Sequence, residues 1–454
     1  MVLALRTPMR WKRMEVTGWG RTRRVEVLAC RPHRLSEIPS TLAALNGDGT
    51  SLIAHGAGRS YGDVATNEQG RVLLTERLNR ILAFDEANLE VVCEPGVTFQ
   101  DLLDVFGPRG ILFPLSPGTA FTTMGGAVAC DVHGKNQEHV GSFGDHVRWI
   151  DLALPTGRVV RTSRLEDPEL FAATIGGLGL TGIILRVSIG LVRVPSLWST
   201  VHERRMPHLD AFMDAFEACR RTASHSVGWI DGQARGESLG RGILETAEFA
   251  DGPRSIPSPR RARSIPFDLP PGILNRLSIR AFNGLYYRRI RRRGRIREVP
   301  LAEHLYPLDS IHDWNRLYGR RGFHQFQCVI PDGAAREGIR TILGEVGAAP
   351  VTPFLGVLKS MGSEGIGHLS FPRKGFSLAL DFPDRDETTA LLSRLERITR
   401  DHGGRIYLAK DSILSPEAFR EMYPRHGDFR EVLQRVDPEG RLSSDLVRRI
   451  GLRP

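Results

Sequence analysis

Residues 117–141 read PGTAFTTMGGAVACDVHGKNQEHVG. Glycines at 118, 125, 126 and 134 are set among small residues, with Asp131, His133 and Lys135 as the ionisable groups of the central part. Glycine permits positive φ and lets backbone N–H groups approach a ligand closely. Ala127, Val128, Ala129 and Cys130 are small and apolar, as a wall lying flat against a planar ring must be. Taken alone, the stretch serves equally well as a tight structural crossing. Its neighbours decide between the two.

Upstream, a short apolar strand at 51–54 runs into Gly56-Ala57-Gly58-Arg59-Ser60-Tyr61-Gly62-Asp63. A strand followed by G-x-G raises a Rossmann reading, and Glu76 stands about twenty residues on, as that fingerprint requires. Two features oppose it. The third glycine comes one position late, and RSYGDVATNEQG is rich in turn formers, so no helix starts where a pyrophosphate-binding helix must. A loop that cradles phosphates with backbone N–H groups fits better. A third glycine cluster, Ile175-Gly176-Gly177-Leu178-Gly179-Leu180-Thr181-Gly182-Ile183-Ile184, feeds a strand at 183–191.

Between the clusters, Thr98 and Asp101 predict a capping box for a helix through Phe106, closed by Gly107-Pro108. Helical spacing at 35–45 and strands at 72–74, 89–93, 111–115 and 147–154 complete the first part. Strands and helices mix without regular βαβ alternation, which predicts an α+β fold. From about residue 195 the chain shifts to longer polar helices and hairpins. Trp229 falls in a strand-like run, and Gln325-Phe326-Gln327 puts both amides on one strand face.

The 454 residues call for two or three domains, and 41% hydrophobic with 25% charged residues is ordinary for a globular chain. No apolar run reaches the ~18–20 residues of a membrane span, and residues 2–5 are too short a run for a secretory signal. Five scattered cysteines with no CxxC pair argue for free thiols in a reducing compartment, with no metal site. The net charge of +10 concentrates at 254–297, where thirteen arginines face one acid, Asp268. Apolar and aromatic residues interleave there, including Phe282, Leu285, Tyr286 and Tyr287. A solvated loop is the ordinary reading of such a run; an anionic lipid surface is the other. No RNP, zinc-finger or helix-turn-helix pattern supports nucleic acid.

The GAGRSYGD loop, PGT…GGA…CDVHGKN, SFGDHV and GGLGLTGII resemble the FAD-binding domain of the vanillyl-alcohol-oxidase (PCMH-type) superfamily. HLYPLD, WNRLYG, GFHQFQCVIP, LSFP, DFP, YLAKDS, MYPR, VDP and SDLVRRIGL resemble the decaprenylphosphoryl-ribose 2′-oxidase family within it. The resemblance spans nearly the whole chain and is weakest in the arginine-rich segment. It implies a two-part FAD-binding domain at 1–194, an α+β substrate domain with an antiparallel sheet at 195–404, and a C-terminal segment at 405–454 returning to the first domain. The basic insertion, about 254–298, becomes a mobile cover at the mouth that meets the lipid surface.

The same resemblance places the loop Gly56, Ala57, Gly58, Arg59, Ser60, Tyr61 and Gly62 around the FAD pyrophosphate. It sets Pro117, Gly118, Thr119, Gly125, Gly126 and Ala127 along the flavin, with Cys130, His133, Gly134 and Asn136 near the isoalloxazine and Gly182 and Ile184 on the adenine side, and counts Tyr407 among the cofactor-binding residues. Arg59 stands where many relatives carry the histidine that bonds FAD covalently, so FAD is expected to be noncovalent. Lys410 matches the catalytic lysine, with His133 as the second candidate base. Trp229, Tyr306, Gln325, Gln327, Lys359 and Ser377 match positions around the sugar phosphate, Lys359 as a point charge. Absent the motif, a lone lysine after a strand reads as a surface residue, and the tryptophan and tyrosine as core packing.

Better-known members carry Asn and Cys where this strand has Ser377 and Ala379. The implied activity is FAD-dependent oxidation of a polyprenyl-phosphoryl ribose at its 2′-hydroxyl, followed by an NAD(P)-dependent keto-reductase that completes epimerisation for cell-wall arabinan. Quinone or oxygen is the expected electron acceptor, and a cytoplasmic or peripheral membrane location the expected setting. A soluble alditol or sugar-lactone oxidase and a flavin-binding scaffold without turnover are the alternatives.

Overall fold

The structure, a computed structural model, describes residues 9–45, 47, 49–252, 254–257 and 262–453. The short apolar run at 2–5 and two arginines of the basic segment, Arg260 and Arg261, lie outside the described residues.

Two sheets carry the first part. Strands Lys12–Thr17, Arg24–Cys30, Arg71–Leu74 and Leu52–His55 form a four-stranded sheet in that spatial order, the last three mutually parallel. Leu52–His55 runs directly into the glycine loop, and no helix intervenes before Arg71–Leu74. That is the non-Rossmann arrangement the turn formers of 59–70 impose. The second sheet orders Ile81–Asp85, Glu90–Cys93, Ile183–Gly190, Val147–Ala153 and Val159–Ser163, all antiparallel.

Helix Phe99–Phe106 starts at the expected box: Thr98 Oγ1 accepts the Asp101 N–H at 3.1 Å, and the Asp101 carboxylate accepts the Thr98 N–H at 2.8 Å. Gly107 ends it. The strand expected at 111–115 extends only over Ile111–Leu112, because Pro114 cannot donate to a ladder.

The second part is one antiparallel sheet of eight strands. Its order is Arg295–Pro300, Trp198–Met206, Gly242–Phe249, His225–Ile230, Leu355–Met361, Gly375–Pro383, Phe323–Pro331 and Arg405–Ile406. Period-two alternation divides its side chains between two faces. Phe326, Cys328, Leu358, Leu378 and Leu380 join a core with residues of helices Leu209–Cys219 and Asp332–Ala348, such as Phe212, Phe216, Ile339 and Ile342. Alternate positions are therefore turned to the other face, toward the glycine turns. The mixed α+β architecture with a large antiparallel sheet is the fold class the sequence implies.

The C-terminal segment packs back on the first sheet. Leu52 N–H donates to Arg441 O at 2.7 Å, and Ser443 N–H to Leu52 O at 3.1 Å. Arg449 donates to both Asp63 oxygens, at 2.8 and 2.9 Å, and lies 2.9 Å from Asp411 Oδ2.

Candidate active site

A cavity of about 880 Å³ runs from the glycine turns to the open face of the large sheet. All of Gly56–Gly62 lines it, with Pro117, Gly118, Thr119, Gly125, Gly126, Cys130, His133, Gly134, Gly182 and Ile184. The first loop is clamped tightly. A β-carbon on Gly62 would stand 1.7 Å from Asp411 O, and one on Gly56 would stand 2.5 Å from Thr123 Oγ1. Gly58 has φ +62°, a conformation other residues adopt at a cost. Tyr61 N–H donates to Ala409 O at 3.0 Å, whereas the N–H groups of Ala57, Gly58, Arg59 and Ser60 find no acceptor among the described residues. Unpaired amides at a cavity wall are ready donors to an anion.

The second wall is helix Met124–Ala129, capped where Thr123 Oγ1 accepts the Gly126 N–H at 3.3 Å. A β-carbon on Gly125 would meet Pro95 at 2.8 Å, so only glycine lets this turn pack. Buried Arg59 Nε and His133 Nδ1 have no partner. The free amides, the flat small-residue wall and these unpaired donors fit a dinucleotide with a pyrophosphate and a planar ring.

The floor follows from strand register. Trp229, Val357, Ala379 and Gln327 stand in one row across four strands. On one side lies the row Leu355, Asp381 and Gln325; on the other lie Lys359, Ser377 and Val329. Two-residue spacing puts all of these on one face of the sheet, and Trp229, Val357, Ala379, Gln327, Leu355, Gln325 and Lys359 reach the cavity. Gln327 Nε2 lies 3.0 Å from His133 Nε2 and donates to Ser377 Oγ at 3.3 Å. Lys410, just beyond strand Arg405–Ile406, holds its Nζ 3.7 Å from the centre of the Tyr61 ring.

Electrostatics separates the polar groups. Burial lowers Lys410 to about 7, against the charge of Asp381 that favours its ammonium form. Burial and then Lys135 lower Lys359 to about 8; burial, opposed by Glu245, lowers Lys135 to about 8. Burial, with Lys359 and Lys410 nearby, pushes His133 well below its usual range, so it is neutral at pH 7. Of the three lysines, Lys410 is thus the one most readily present as the free amine near neutral pH.

Of the expected residues, Trp229, Gln325, Gln327, Lys359, Tyr407 and Lys410 join the glycine turns on this one cavity. Four others lie one layer behind its wall. Ala127 is buried inside its helix. Asn136 donates to Pro114 O at 2.7 Å, bracing the turn before Pro117. The Tyr306 hydroxyl pairs with Ser116 Oγ. Ser377 is 1% exposed beneath the Gln327 amide. Sequence reasoning missed Lys135, Trp19 and the Arg289, Arg295 and Arg297 group, all of which line the cavity. It also gave no role to Asp381. Lys135 stands in the quoted CDVHGKN run, and its signal was a charge among small residues.

Residues 28–163 match the family described as FAD binding domain, and residues 381–450 match D-arabinono-1,4-lactone oxidase. The decaprenylphosphoryl-β-D-ribose oxidase of Mycolicibacterium smegmatis is 35% identical over 451 residues, 96% of this chain and 97% of that one. An uncharacterised protein of Streptomyces coelicolor is 33% identical over 78% of this chain and its own entire length. The D-lactate dehydrogenase of Anaerostipes hadrus is 28% identical over 35% of each chain. The free amides and flat wall thus lie where an FAD-binding family matches, and the likeness continues through the sheet and Lys410; the chain is an FAD-dependent oxidoreductase and belongs to the decaprenylphosphoryl-β-D-ribose oxidase family.

Proposed function

We propose that this chain oxidises the 2′-hydroxyl of a polyprenyl-phosphoryl-β-D-ribose to the ketone. The observation that carries the reading is one cavity lined by three lysines, Lys410, Lys359 and Lys135, of which burial lowers Lys410 furthest. A secondary alcohol needs a base, and a sugar phosphate needs countercharge. Bound FAD supplies the two-electron acceptor for the hydride leaving the sugar carbon.

Lys410, in its amine form, takes the hydroxyl proton on Nζ. Lys359 and Lys135 hold the phosphate, and Gln325 and Gln327 orient the ring hydroxyls. His133 stays neutral and steadies Gln327, which leaves the proton to Lys410. Trp229, packed on Tyr286 at 4.8 Å between ring centres, gives the sugar an apolar side. Arg59, at the loop position, has no atom that forms a flavin bond, so FAD is held noncovalently.

The three-part division at 194 and 404 is the domain organisation we assign. The substrate is lipid-linked, so the enzyme meets the membrane peripherally; no described helix is long and apolar enough to cross one. The product requires an NAD(P)-dependent keto-reductase, and quinone or oxygen reoxidises the cofactor. The match of residues 381–450 favours a second reading, a sugar-lactone or alditol oxidase. Lys359 and Lys135 would have no anion to bind there. The test is mass spectrometry of farnesylphosphoryl ribose after incubation with the enzyme and an electron acceptor. A product lighter by two hydrogens, absent with Lys410→Ala, supports the reading; oxidation of xylitol alone would replace it with the second.

A further inference from the structure

Asp381 is 1% exposed, on the cavity side of strand Gly375–Pro383, directly opposite Gln325. Its Oδ1 accepts from Gln325 Nε2 at 2.5 Å, and its Oδ2 is buried with no partner. A buried carboxylate oxygen left unpaired is costly and calls for a nearby cation or a proton. Lys410 is the cation whose charge reaches it, from beyond direct ion-pair distance. Among the described residues it makes no salt bridge, and the carboxylate whose charge acts on it is Asp381. The coupling is reciprocal, since Lys410 opposes the burial that raises Asp381. Tyr61 stands beside both: its aromatic face lies under Lys410, and Gln325 and Asp381 act on its hydroxyl.

We propose that Asp381 is a positioning residue, the countercharge that governs the protonation of Lys410 and, through Gln325, fixes an amide on the cavity floor. This rests on Lys410 being the base. The groups facing Lys410 from the surrounding elements are Asp381, Tyr61, Cys130, Lys359 and His133, the last held neutral by burial. Of these, Cys130 stays a neutral thiol because burial raises it to about 11, and burial likewise holds Tyr61 neutral. Lys359 acts in the opposite sense, lowering Lys410. Asp381 is therefore the group that favours the ammonium. Facing Asp381 itself are Gln325, Lys410, Tyr61 and Tyr318.

The proton taken from the sugar hydroxyl rests on Lys410 Nζ as ammonium, stabilised by the carboxylate while the ketone forms. Removing the carboxylate weakens the base: the lysine deprotonates at lower pH and accepts the proton less readily.

The test is peptide-resolved acetylation of Lys410 in the purified FAD-loaded protein, with acetic anhydride as probe, followed against pH. Half-maximal labelling is expected near pH 7 in the wild type. It is expected about one unit lower or more in Asp381→Asn, and near the wild-type value in Asp381→Glu. The acid limb of turnover moves with it. An unchanged labelling midpoint in Asp381→Asn overturns the proposal, whatever happens to activity. Should Asp381→Asn fail to fold, Gln325→Leu carries the test. Loss of the amide donor raises Asp381, neutralises it and lowers the lysine midpoint, and an unmoved midpoint again overturns the proposal. Rescue of Lys410→Ala by small primary amines tests the base itself. If no rescue occurs, the base reading fails, while the labelling midpoint still decides whether Asp381 governs the lysine.

Discussion

At the scale of single residues, two opposing titrations shape the pH profile. In the mechanism we propose Lys410 works as the free amine, so kcat/KM should rise as pH passes about 7. Lys359 and Lys135 are proposed to work as cations, so it should fall above about 8. A narrow bell with limbs near those values is the expected result of steady-state kinetics across pH. In Lys359→Gln, KM for the lipid-linked substrate should rise roughly tenfold or more, with a smaller change in kcat, because one charge-assisted contact worth about 1.5–3 kcal/mol is lost. Ala379 lines the same floor without a thiol. Inhibitors that act by capturing a thiol at this position should leave the enzyme unmodified by mass, and Ala379→Cys should restore the adduct.

How far these residues were legible differs case by case. The two glutamine amides were readable from two-residue spacing, and the structure puts both on the cavity floor. Lys410 was visible only through the YLAKD motif, because spacing alone makes it a surface lysine. Asp381 sat in the quoted DFP motif with no sign of burial, since its environment comes from neighbouring strands 26 and 56 residues back in sequence, at Leu355 and Gln325.

At the scale of elements, the basic segment resolves into helix Arg276–Arg288, started by an Asn275 capping box. Ile279 and Asn283 face inward, and Asn283 Nδ2 donates to Asp231 at 2.7 Å. Leu277 and Leu285, two turns apart, stand 78% and 72% exposed amid Arg276, Arg280 and Arg288. Apolar side chains projecting from a basic helix suit an anionic bilayer interface. Leu277→Ser with Leu285→Ser should leave the melting temperature nearly unchanged. It should reduce sedimentation with liposomes containing anionic lipid, and raise KM for long-chain substrate more than for a farnesyl one. Equal liposome binding would count against the helix as the membrane contact. The sequence showed the composition of this segment but not its orientation, because which face of a helix is buried depends on the sheet it lands on.

At the scale of the whole molecule, the C-terminal SDLVRRIGL run ties the first glycine loop to the segment that carries Lys410. Arg449 joins Asp63, which ends the first glycine loop, to Asp411, which follows Lys410. Arg449→Met should strand two carboxylates, each no more than 7% exposed, at a cost of about 3–5 kcal/mol. The expected readouts are a lower melting temperature and a lower FAD-to-protein ratio after gel filtration. Capping boxes and glycine turns are local, and the sequence displayed them. This bridge spans 386 residues, and no local pattern announces it.

The central claim is that one cavity holds both FAD and a lipid-linked ribose with Lys410 beside it. The most direct measurement is the anaerobic visible spectrum of the FAD-loaded protein before and after farnesylphosphoryl ribose, with xylitol as control. Bleaching of the flavin band by the phosphoryl ribose and not by xylitol is the predicted result; bleaching by xylitol alone, or by neither compound, would contradict it.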